Sequence, residues 1–179
     1  RKSLLTRSST LAILAMLGIA DPASAVDITI NGQSVGNVPN AGEIDFIDIT
    51  GSTVNGSVTN LPTGHIQNAS TNTGIAISQS TVTGSVSNQG TIDVGTSSGI
   101  WITKSSIGGS VTNSGTMYAG YGVNVSTSTV GGNVGNSGRI ESSSTGIYIT
   151  SASIGGNVFN SGTIRTSSIG IFFSDSTAA

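Results

Sequence analysis

The chain has 179 residues, room for one domain or one short array of repeats. Only 8% of residues are charged and cysteine is absent, so composition offers neither a basic surface for nucleic acid nor a disulfide scaffold. The 26 glycines and abundant Ser and Thr would suit a disordered linker, but Ile and Val return at fixed positions, which a linker has no reason to arrange.

Residues 1–25 read as a signal peptide. Arg1, Lys2 and Arg7 make a basic start, residues 11–20 are continuously apolar, and Ala23, Ser24 and Ala25 are the small residues a signal peptidase reads. The apolar run is too short to span a bilayer comfortably. Cleavage is expected after Ala25, with export through the inner membrane. The remaining chain carries seven acids and three bases, a net charge of −4.

Residues 26–51 read as a degenerate N-terminal capping coil. Asp27, Ile28, Thr29 and Ile30 alternate like a strand, and Asn40 to Ile44 loosely copies the motif that dominates the later chain. Glu43, Asp45 and Asp48 suit an edge that must resist aggregation. They could also hold calcium, but the Gly-Gly-x-Gly-x-Asp nonapeptide is absent, so no metal is expected.

Residues 52–179 are the regular repeats. The clearest copy is Ser106-Ile107-Gly108-Gly109-Ser110-Val111-Thr112-Asn113-Ser114-Gly115-Thr116-Met117. Its asparagine returns as Asn60, Asn88, Asn113, Asn136 and Asn160, at steps of 28, 25, 23 and 24 residues. Each copy is followed by a Gly-Ile-x-Ile motif or a close variant, such as Gly99 to Ile102 and Gly146 to Ile149. A period in the low twenties marks a solenoid. Alternation places Ile107, Val111, Asn113, Ile100 and Ile102 inward, and Ser110, Thr112, Trp101 and Thr103 outward. The expected fold is all-β: a right-handed parallel β-helix of about five coils of roughly 24 residues. Its asparagines would stack as a ladder, each amide bonding the coils above and below. Gly90, Gly115, Gly138 and Gly162 would serve a turn where a side chain clashes or φ is positive. The last repeat stops part-way, and further coils are expected downstream.

Two outward columns could carry chemistry. Gln67, Asp93, Tyr118, Glu141 and Arg165 form one, in which Glu141 and Arg165 are expected to pair. Asp93 and Glu141 lie two coils apart, about 9–10 Å, near the spacing of an inverting glycosidase. That leaves a polysaccharide-degrading enzyme as an alternative, although the clustered acids and bases of such a site are missing. Ala76, Trp101, Asn124, Tyr148 and Phe172 form the other, with Trp101, Tyr148 and Phe172 a possible contact stripe for sugar or protein, or simply surface packing. The single histidine, His65, has no cysteine or neighbouring acid to make a metal or triad site. An ice-binding solenoid is a second alternative, but the outward pairs Ser57/Thr59, Ser85/Ser87, Ser110/Thr112, Asn133/Gly135 and Asn157/Phe159 are no regular threonine lattice. No catalytic residue and no cofactor is expected.

The core Asn113-Ser114-Gly115-Thr116, preceded by Gly108-Gly109-Ser110-Val111 and followed by Gly-Ile-x-Ile, resembles the passenger regions of bacterial autotransporters, the type V secretion family. The resemblance implies a secreted β-helix carried to the cell surface by an outer-membrane β-barrel downstream in the same chain. It implies a non-enzymatic stalk, adhesin or self-association surface that meets a host cell, a glycan or its own copies.

Overall fold

The computed structural model describes residues 27–68 and 73–179. The signal-peptide reading of residues 1–25 lies outside the described residues. Those described form 23 strands and no helix, and every strand pairing is parallel.

The strands wind into a solenoid of about six turns of roughly 24 residues. One turn shows the plan. Ser98–Thr103 lies on a first face, Ser106–Ile107 on a second, Val111–Asn113 on a third, and Thr116–Ser126 begins on the fourth. That last strand runs on without a break into the first face of the next turn, as does Arg139–Thr150. At about 4.8 Å per turn the rod is about 30 Å long.

The count is six because the stretch read as a cap is itself a turn. Ile28–Asn31 pairs with Ile47–Thr50, and Val38–Asn40 pairs with Val58–Asn60, placing Asn40 directly beneath Asn60.

Inward positions stack like on like. Ile47, Ile75, Ile100, Val123 and Ile147 form one column, and Val38, Val58, Val86, Val111 and Val134 another; all ten are fully buried. β-Branched side chains suit this stacking, because each fills the pleat left by its copy one turn away. On the last turn the same columns end, and Ile169, Ile171 and Phe173 are exposed.

Most of the uneven repeat length arises at the corner joining the fourth face to the first. Two residues connect Glu43–Ile44 to Ile47–Thr50, seven connect His65–Gln67 to Ile75–Ser78, and four connect Thr91–Asp93 to Ser98–Thr103. In Thr116–Ser126 no connector remains, only a register shift between Ala119 and Tyr121. Smaller differences lie at two other corners: two residues rather than three join Ser34–Val35 to Val38–Asn40, and four rather than two join Val58–Asn60 to His65–Gln67. Loop growth confined to corners leaves the stacked faces undisturbed.

The glycines at 90, 115, 138 and 162 are explained by contact. None has a positive φ; a Cβ on Gly115 would fall onto the carbonyl oxygen of Gly90 in the turn below. All the positive φ angles but that of Gly95 lie at the corner between the first and second faces, where Gly32, Gly51, Gln79, Lys104, Thr127, Ser151 and Asp175 succeed one another turn by turn.

Candidate functional site

Which side chains are free for function depends on which are used to hold the turns together. Three ladders run along the rod. The first is the asparagine ladder, which includes Asn40. The side-chain N–H of Asn40, Asn60, Asn88, Asn113 and Asn136 each donates to the side-chain oxygen of the next asparagine at 2.7–2.8 Å. Each amide also donates to a backbone carbonyl, Asn113 to Gly115 at 3.2 Å and to Arg139 at 3.2 Å. These asparagines are structural, and none from Asn40 to Asn136 reaches the surface.

The second ladder is made of buried serines. The backbone N–H groups of Ser52, Ser80 and Ser105 donate to the hydroxyl oxygens of Ser80, Ser105 and Ser128 at 3.0–3.1 Å. Each hydroxyl donates to the carbonyl two residues before it, as Ser105 does to Thr103 at 2.8 Å. Sequence reading passes over this ladder, because serine is so frequent here that one more column of it does not stand out. Its sequence signal is the serine immediately before Thr53-Val54, Thr81-Val82, Ser106-Ile107 and Thr129-Val130.

The third ladder lies outside. Asn37, Ser57, Ser85, Ser110 and Asn133 each accept the backbone N–H of their successor in the next turn at 2.8–3.1 Å. These are half of the outward pairs weighed for ice binding, so their lone pairs are already engaged. A continuous hydroxyl column does exist on the second face, running Ser34, Thr53, Thr81, Ser106, Thr129, Ser153 and Thr177. It is one residue wide, not the paired threonine lattice that ice would need.

Both chemistry-bearing columns fall as expected. Gln67, Asp93, Tyr118, Glu141 and Arg165 are strand partners in succession on the fourth face. The expected Glu141–Arg165 pair is not formed. Glu141 instead binds the guanidinium of Arg139, two residues back on its own strand. Residues two apart on a strand point to the same side, so this partner is nearer to hand than one on another turn. The Glu141 hydrogen bond and charge raise the Arg139 pKa above its ordinary value, and Tyr118 contributes in the same direction. Arg165 has no hydrogen-bond or ion-pair partner among the described residues. Beside Tyr118, Glu141 and Arg165 lies a shallow depression of about 510 Å³, also lined by Ala119, Ser142 and Ser143.

On the first face Ala76, Trp101, Asn124, Tyr148 and Phe172 are also partners in succession. The stripe is not continuous: Asn124 separates Trp101 from Tyr148. The Tyr148 and Phe172 rings stack nearly parallel, centroids 4.9 Å apart, and Tyr121 meets Tyr148 edge-on at 5.5 Å. Rings stacked face to face turn mainly their edges outward, which suits packing better than sugar docking. His65 sits between Glu43 and Thr91 on the fourth face. Among the described residues no group of three or more His, Cys, Asp or Glu side chains is placed to hold a metal.

No protein-family model, curated protein or solved structure matches this chain.

Proposed function

We propose that the chain is part of an autotransporter passenger, a non-enzymatic β-helical rod displayed at the bacterial cell surface as a stalk, adhesin or self-association surface. One observation carries this reading: six turns repeat the same ladders and the same outward plan, so length and lateral surface grow together by adding turns. A stiff rod built this way holds a surface out from its anchor with little sequence information. The sequence resemblance set out above supplies the secretion route, with a signal peptide ahead of the rod and a translocator barrel downstream.

Protease shaving of intact cells of the source bacterium tests the reading, with an antibody against the solenoid. Loss of the antigen from unpermeabilised cells is expected. An antigen that stays protected until the outer membrane is opened would overturn surface display. Reading the coding sequence beyond Ala179 tests the secretion route: further Asn-Ser-Gly-Thr coils and then amphipathic strands are expected, and an immediate stop codon would remove the autotransporter assignment.

A further inference from the structure

We propose that the depression on the fourth face binds an acidic saccharide, a sugar chain bearing a carboxylate. This rests on the reading of the rod's side as a contact surface and names its ligand class.

Three consecutive turns each present one chemically distinct group. Tyr118 is 38% exposed and offers an apolar ring with a hydroxyl at its tip. Glu141 lies one turn on and Arg165 one turn further. Tyr118 and Arg165 are therefore about 10 Å apart along the axis, the length of a disaccharide. An exposed ring stacks against the C–H face of a pyranose. Glu141 accepts sugar hydroxyls while Arg139 fixes its orientation from the side.

Arg165 decides the class. Its guanidinium is a planar fork that matches a carboxylate with two parallel hydrogen bonds, and nothing among the described residues occupies it. Arg139 shares the same strand face, but it is taken by Glu141. The Glu141 carboxylate beside the site disfavours a doubly charged phosphate and tolerates a singly charged uronate. Gly95, Ala119, Ser142, Ser143 and Thr166 complete the lining of the depression. The aromatic stripe on the first face lacks these features, since its rings cover one another and no cation lies in its column.

The test is titration of the purified full chain with trigalacturonate, followed by ¹H–¹⁵N NMR, with maltotriose as the neutral control. Trigalacturonate should shift the amides of Tyr118, Glu141, Ser142 and Arg165 and bind at least about tenfold more tightly than maltotriose. Arg165→Ala should lose about tenfold in affinity, and Tyr118→Ala should weaken binding to a similar extent. Lys104→Gln, a cation lost from a different corner, should leave affinity unchanged. Binding should weaken as salt rises. These side chains point outward, and unchanged thermal melting would show that each variant keeps its fold. Absence of binding, equal binding of maltotriose, or full affinity in Arg165→Ala would each overturn the proposal. Such a failure would leave the protease-shaving result, and with it the reading as a surface rod, intact.

Discussion

The side-chain amide of Asn113 donates to the side-chain oxygen of Asn136 at 2.7 Å, and both residues are fully buried. Asn113 also accepts from Asn88 one turn below at 2.7 Å. An interior rung thus joins three turns, and replacing it by alanine strands partners on both sides. Asn113→Ala should lower unfolding free energy by about 2–4 kcal/mol, from lost bonds and the void left behind. Asn160 is exposed and has no rung above it among the described residues. Asn160→Ala should cost about 1 kcal/mol or less. Urea denaturation of the two variants checks the difference. Equal losses would show that the ladder is not the cause.

The serine ladder has one missing rung. Ala152 occupies the register of Ser128 and Ser176, and its own N–H donates to the Ser176 hydroxyl at 3.0 Å. Restoring the hydroxyl with Ala152→Ser gives the Ser128 N–H an acceptor and offers a donor to the Thr150 carbonyl. The same pattern holds at Ser105. We expect a gain of about 0.5–1.5 kcal/mol, read from the urea midpoint at unchanged slope. Ser105→Ala should lose a similar amount or more, since it leaves the buried Ser80 N–H without its acceptor.

The contrast between these two ladders shows what the sequence made legible. An inward asparagine between valine and glycine is rare enough to be noticed at 60, 88, 113, 136 and 160. Asn40 reads only as a poor copy, because Ala41 and Glu43 stand where the clearest copies, at Asn113 and Asn160, have Ser and Thr. An inward serine among dozens of outward ones carries no such contrast. The Arg139–Glu141 pair is hard to read for a different reason: strand register names the partners on neighbouring turns, while rotamers choose among all neighbours. The depression beside Tyr118 lies at the fourth-to-first corner, where connector length changes from turn to turn, so the repeat pattern does not announce it.

At the left-handed corner, Thr127 adopts φ 49° where Gly32 and Gly51 adopt 63° and 58°. A β-branched residue is the most strained choice there. Nothing lies within 4 Å of a Cβ built at Gly51, so the corner is open and the strain is in the backbone itself. Thr127→Gly should stabilise by about 0.5–1 kcal/mol after glycine's entropy in the unfolded chain is allowed for. Differential scanning calorimetry against Thr127→Ala, which keeps the Cβ but removes the branch, separates backbone relief from loss of the side chain.

Gly115 gives the opposite sign. Its backbone is not left-handed, but a Cβ would meet the Gly90 carbonyl, which cannot move without parting two turns. Gly115→Ala should destabilise by about 2–3 kcal/mol. Gly135→Ala is the matched control. Its obstacle is the ring of Phe159, a half-buried side chain able to rotate away. We expect it to cost about 1 kcal/mol or less, with the cost falling further in the Phe159→Ser background. A chemical denaturation series over these variants gives the ranking directly.

Asn124 decides what the aromatic stripe is for. It pairs with Trp101 on one side and Tyr148 on the other, and its side-chain oxygen is buried with no hydrogen-bond partner. A buried carbonyl without a donor costs about 1–3 kcal/mol, and a ring in its place would gain cross-strand aromatic contacts worth about 0.2–1 kcal/mol each. If the stripe exists to pack the first face, Asn124→Phe completes it, and stability should rise by about 1–2 kcal/mol. A contact site with a gap shaped for a partner's donor would behave otherwise. The partner would supply the missing bond, and Asn124→Phe would abolish its binding whatever it did to the fold. Thermal melting of Asn124→Phe, together with cell-surface or self-association assays on the same variant, separates the two. We expect the gain in stability with contact unchanged, because the Tyr148 and Phe172 rings already spend their faces on each other.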